Sequence, residues 1–106
     1  MGDLIRVKQV QFTIPTSINI GANERKTILD HFNIKTSEAE ELNTKKTLAQ
    51  LFGDKNIFAV IGIWVNGGLI IAECILWDDK QITIGAANYT SGAITATGVR
   101  LLVFYH

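Results

Sequence analysis

The chain has 106 residues, enough for one domain with a core of its own and too few for two. Ten Lys and Arg balance ten Asp and Glu, which weighs against a protein built to bind nucleic acid or anionic lipid through charge. Only 19% of residues are charged while 47% are hydrophobic, a sparse polar covering for a monomer of this size.

The opening "MGDLIRVKQVQFTIP" lacks the charged start, apolar core and cleavage site of a signal peptide, so synthesis in the cytoplasm is expected. Residues 4 to 14 alternate apolar and polar as a strand does, but Ile5 and Val7 share one phase and Val10, Phe12 and Ile14 the other. A bulge near Lys8-Gln9 would reconcile the phases, and Pro15 should end the strand or bend it at a sheet edge. A short strand, a turn at Gly21 to Glu24 and a return toward Ile28 follow. Residues 35 to 53 hold the only helix candidate. Ser37 and Glu40 have capping-box spacing and Gly53 is a stop, while Asn43, Thr44 and Thr47 interrupt the pattern. One short helix or a long loop around residues 37–52 is expected.

Residues 61 to 77, "IGIWVNGGLIIAECILW", are the most apolar stretch. A membrane helix needs roughly 20 apolar residues without breakers, and Asn66-Gly67-Gly68 breaks this one, so no membrane insertion is expected. The β-branched and aromatic flanks predict a hairpin, 57–65 with 69–77, around a two-residue turn. A turn at Asp78-Asp79-Lys80, a strand from Gln81 to about Ala87, a loop at "NYTSG", a short strand near Ile94 and a last strand in "GVRLLVFYH" complete the chain. About seven strands without crossover helices predict an all-β fold, an antiparallel β-sandwich or jelly-roll-like domain spanning residues 1–106.

The predicted hairpin has two apolar faces. Ile57, Ala59, Ile61, Ile63, Val65, Ile70, Ala72, Cys74 and Leu76 would form the protomer's core, with Cys74 as a small buried hydrophobe. Phe58, Val60, Gly62, Trp64, Leu69, Ile71, Glu73, Ile75 and Trp77 would lie opposite. A soluble monomer rarely exposes so large an apolar patch, so a subunit interface containing Phe58, Trp64, Ile71, Glu73, Ile75 and Arg100 is expected. Glu73 and Arg100, lone charges on apolar strands, would pair within or between subunits.

Catalytic and metal chemistry leave little trace. His31, His106 and Cys74 lack ligand spacing, and Asp78 and Asp79 read better as turn residues than, with Asn88, as calcium ligands. There is no phosphate loop and no nucleophile motif. Asp30-His31 is suggestive, but neighbours on a strand point apart. No cofactor, no metal and no enzymatic activity are expected. Asn88-Tyr89-Thr90 is a glycosylation sequon by pattern and a loop by context. Saccharide binding has a fainter signature, an aromatic plate beside polar groups, and Trp77, Asp78, Asp79, Asn88 and Tyr89 are the ligand-binding candidates. Packing of Trp77 at a subunit interface is the competing reading.

The last 25 residues, "ITIGAANYTSGAITATGVRLLVFYH", resemble the endings of receptor-binding domains in bacteriophage tail-fibre and baseplate-tip proteins. The similar residues are Ile94, Thr95, Val99, Arg100, Leu102, Val103 and Tyr105, and "VQFTIPTSINIGANERKTI" resembles the opening of such domains. The resemblance implies a homotrimeric β-sandwich in the virion that recognises a host-surface polysaccharide. It leaves open a role as a structural assembly or decoration protein that binds other virion proteins and no glycan.

Overall fold

A computed structural model of the protein describes residues 4–106. Six strands and one short helix follow in order: β1 (Arg6–Ile20), β2 (Arg25–Asn33), α1 (Leu48–Phe52), β3 (Ile57–Val65), β4 (Ile70–Leu76), β5 (Gln81–Ala87) and β6 (Ile94–Tyr105). They form two antiparallel three-stranded sheets, β1-β6-β3 and β2-β5-β4. The sheets pack face to face, so the expected antiparallel sandwich is the fold. The core lies between the central strands: Val99, Leu101 and Val103 of β6 and Ile82 and Ile84 of β5 are all buried.

β1 is continuous through Pro15, and its register against β6 runs unbroken from Arg6 to Thr13. The bulge expected near Lys8-Gln9 is therefore absent. The irregularity falls between Thr13 and Ile18, around Pro15, on an edge strand where the missing N–H breaks no necessary ladder bond. The phase change has another cause: Val10, Phe12 and Ile14 face the core, whereas Val7 lies on the outer face beside Phe104 and is exposed. Beyond β1, the 40s loop shields its edge through a Phe12–Glu41 bridge and a Leu42 N–H to Gln11 carbonyl bond of 3.0 Å.

The helix starts at the residue read as an interruption. Thr47 Oγ1 accepts the Gln50 N–H at 3.1 Å, and Gln50 Oε1 accepts the Thr47 N–H at 2.9 Å, a complete capping box. Ser37, the expected cap, instead accepts the Ala39 N–H within the preceding loop. Five residues are too few for a helix to persist alone. Burial of Leu48 and Phe52 in the core holds this one, each contributing about 1.5–3 kcal/mol.

The predicted hairpin is corrected more deeply. Gly67 and Gly68, at φ +70° and +80°, make the tight turn, closed by the Leu69 N–H to the Asn66 carbonyl at 3.3 Å. The two strands then part company, because β3 ladders with β6 and β4 with β5. The turn joins one sheet to the other at the sandwich edge, where Gly62 meets Ile71 and the Cys74 thiol donates to the Val60 carbonyl at 3.6 Å. Register shifts at Ile57/Ala59, Gly62/Trp64 and Ile71/Glu73 reset the alternation. Ile61, Ile63 and Ile70, expected in the core, are exposed, while Val60 and Ile71 pack against the core.

Candidate functional site

The two outer faces of the sandwich differ in kind. On β1-β6-β3, Val7, Phe104 and Ala59 lie in one row, Gln9, Leu102 and Ile61 in the next, and Gln11, Arg100 and Trp64 in the third. Val7, Phe58, Ile61 and Ile63 are 40–55% exposed, a contiguous apolar surface with one charge. Arg100 is occupied within the chain: its Nε and Nη2 donate to Gln11 Oε1 at 3.3 and 2.9 Å, and its guanidinium lies 5.2 Å from the Trp64 ring centroid.

Glu73 lies on the other sheet, beside Gly85. The sheets of a sandwich stand about 10 Å apart, so Glu73 and Arg100 do not pair within the chain. Nor do the six expected interface residues form one surface. Phe58, Trp64 and Arg100 share the β1-β6-β3 face, Glu73 and Ile75 belong to the β2-β5-β4 face, and Ile71 turns toward the core.

The β2-β5-β4 face is built around a residue that sequence reasoning passed over. Register shifts on both sides of Leu29 and a left-handed backbone at His31, φ +48°, interrupt β2. Such a conformation costs roughly 1 kcal/mol or more in a residue other than glycine. It also undoes the alternation, so that Asp30 and His31, expected to point apart, meet: His31 Nδ1 lies 2.9 Å from Asp30 Oδ1. The imidazole stacks on Trp77 at 4.9 Å with the planes 10° apart. Beneath them is Thr83, in the central strand β5. Its hydroxyl oxygen accepts the Trp77 Nε1–H at 2.7 Å and the His31 backbone N–H at 3.2 Å, and donates to Asp30 Oδ1 at 3.4 Å.

These three bonds exhaust Thr83's donor and both its acceptor sites. The hydroxyl is buried, and its proton goes to the carboxylate and not to the imidazole. The group is thus a brace, and its product is an indole plate 51% exposed yet fixed in orientation. The signal that could have found it was the Asp30-His31 dipeptide, given a bulge in β2.

Two residues along β5 from Thr83, Gly85 leaves the central strand without a side chain. Around it Arg25, Lys26, Thr27 and Glu73 line an open depression of about 220 Å³. Lys26 Nζ is held by the Asn19 carbonyl at 2.9 Å. Arg25 and Glu73 form no ion pair with the described residues.

The saccharide candidates are divided by the structure. Trp77, Asp78 and Asp79 lie at one end of β5, Asn88 and Tyr89 at the other, and its seven residues span roughly 20 Å. Asp78 Oδ1 accepts the N–H groups of Lys80 and Gln81, both at 2.8 Å, as a turn residue. Asp79 pairs with Lys35 at 3.0 Å, and that hydrogen bond holds its carboxyl below the ordinary value. Asn88 is fully buried. Its amide donates to the carbonyls of Ile20 and Gly92 and its oxygen accepts from the Thr90 N–H and hydroxyl. All four hydrogen-bonding positions are filled, so this side chain fastens the 88–93 loop and is not open to a ligand or glycan. Tyr89 is exposed at the start of that loop.

Among the described residues no three His, Cys, Asp or Glu side chains converge as metal ligands, and no helix is long and apolar enough to cross a membrane. No protein-family model, curated protein or solved structure matches the chain significantly.

Proposed function

We propose that the protein is a non-enzymatic binding module, self-assembling through the outer face of β1-β6-β3 and recognising a host-surface saccharide through that of β2-β5-β4, as at the tip of a phage tail fibre or baseplate. The observation that carries this reading is the braced, half-exposed Trp77. A tryptophan this open is worth fixing with Thr83, His31 and Asp30 only if something uses its orientation. An aromatic plate with adjacent polar groups suits a sugar ring, whose apolar face stacks while its hydroxyls are hydrogen-bonded.

The opposite face suits further copies of the same chain. Its apolar residues gain by leaving water, and Gln11 and Trp64 supply contacts that replace part of the water around its one cation, Arg100. A closed oligomer, a trimer in the tips it resembles, would also turn weak single-site binding into avidity. The test is glycan-array and whole-cell binding of the native protein, beside light scattering of native and Ile61→Glu protein. Glycan binding with an oligomeric mass that Ile61→Glu reduces is the expected result. A well-folded native monomer at micromolar concentration refutes the assembly.

The second reading, a virion assembly or decoration protein that binds other subunits and no glycan, is favoured by the same exposed Val7, Phe58, Ile61 and Ile63. A blank glycan array together with co-purification of virion proteins would establish it instead.

A further inference from the structure

We infer that the depression over Gly85 and the Trp77 plate are two halves of one binding strip, which takes an extended saccharide of several rings along the outer face of β5. This rests on the saccharide reading above; it keeps Trp77 from the sequence-based candidates and puts Arg25, Thr27 and Glu73 in place of Asp78, Asp79, Asn88 and Tyr89.

The strip follows from the register. On β4, Glu73 and Ile75 face outward, with Trp77 following just past the strand's end, where its N–H donates to the Gln81 carbonyl; on β5, Gly85 and Thr83 lie beside Glu73 and Ile75. On β2, Thr27 is paired with Gly85, and Asp30 reaches Thr83. One line therefore runs from a polar hollow, past the aliphatic Ile75, to an aromatic plate. Gly85 and Thr83 are two residues apart, roughly 7 Å, and the indole extends beyond Thr83. One ring cannot fill the hollow and stack on the plate, whereas a chain of several rings reaches both.

The hollow has the groups a polyol needs. Glu73 offers a carboxylate and Arg25 a guanidinium, neither paired with any described residue, and Thr27 offers a hydroxyl that donates and accepts. Water satisfies these groups in the free protein, and sugar hydroxyls replace water at little cost in hydrogen bonds. The hollow exists because of the glycine: a Cβ at Gly85 would come within 2.9 Å of Glu73 Cγ, and any side chain there would displace Glu73 and fill the space. At the other end, Nε2 of His31 has no partner among the described residues while Nδ1 is engaged by Asp30, so the plate carries a polar atom at its rim.

The test starts from the glycan that the native protein binds best on an array of oligosaccharides of one to six rings, titrated by calorimetry against native protein, Arg25→Ala, Glu73→Gln and Trp77→Ala. Arg25 and Glu73 are exposed and unpaired, so their variants keep the fold whatever Trp77→Ala does. The expected result is binding that strengthens from one ring to several, with at least tenfold weaker affinity in each of the three variants. A bound glycan held within twofold by Arg25→Ala and Glu73→Gln overturns the strip and leaves saccharide binding standing elsewhere on the molecule. An array on which the native protein binds nothing overturns the function and the strip together.

Discussion

Replacing Thr83 by valine keeps the branched shape and removes the hydroxyl on which the Trp77 plate depends. Three hydrogen bonds are lost, and at about 1 kcal/mol each the ceiling is about 3 kcal/mol. The structure lowers that figure. The bond to Asp30 is long at 3.4 Å, and the Asp30 side chain is 71% exposed, so water replaces it. The Trp77 bond at 2.7 Å and the His31 backbone bond lie closer to the buried hydroxyl, where water has less room. An expected loss of about 1–2 kcal/mol remains. With a urea dependence of about 1–1.5 kcal/mol per molar for a chain this size, the midpoint should fall by about 1 M. Thr83→Ser, which keeps the hydroxyl, should recover most of it. The indole should also become more mobile, read by fluorescence anisotropy in a Trp64→Phe background where Trp77 is the sole tryptophan. A Thr83→Val protein with its midpoint within 0.3 M of native, a shift of roughly 0.4 kcal/mol, and unchanged anisotropy would refute the brace.

Asn88→Ala should cost about 2–4 kcal/mol in urea unfolding, because the Ile20 carbonyl is left buried without a partner while the Thr90 groups turn to water; a loss under about 1 kcal/mol would show that the loop reorganises freely. Glu41 is almost wholly buried. Burial raises its pKa, but the N–H groups of Asn43, Thr44 and Gln11 and the Thr44 hydroxyl outweigh burial and hold it below the ordinary 4.5. Its contribution is thus complete above pH 4.5 and fades as pH falls through the lower folded value. Native protein should lose stability over that window more steeply than Glu41→Gln, and parallel curves would contradict the assignment. Burial pushes the Cys74 thiol upward, with the Gly62 backbone partly offsetting it, so alkylation at pH 8 should run several-fold slower in folded than in urea-unfolded protein; equal rates would place the thiol in open solvent.

Local signals reached a long way in this chain. Strand positions came from short-range alternation, and the turns at Gly21 to Glu24, Asn66 to Gly68 and Asp78 to Lys80 came from residues that supply positive φ or side-chain acceptors. Those features fall within a few residues of one another, so they survive without the rest of the protein. Helix content was legible too, though its cap shifted from Ser37 to Thr47, since both residues offer a hydroxyl three positions before Glu or Gln. Only the packing of Leu48 and Phe52 decided between them.

Sequence by itself thus determined an antiparallel β-sandwich, with more apolar strand surface than its core would consume. Tertiary structure decided which surface that was. Whether β3 pairs with β4 or each takes a separate sheet depends on β6 and β5, distant in the chain, and no turn residue encodes it. Each one-residue bulge then exchanges the two sides of a strand, which carried Ile61 out to solvent and Ile71 inward. At His31 the same device brought an acid, an imidazole and an indole around one buried hydroxyl. Alternation has a period of two and no memory of such a slip, so that cluster became visible only once the strands were paired.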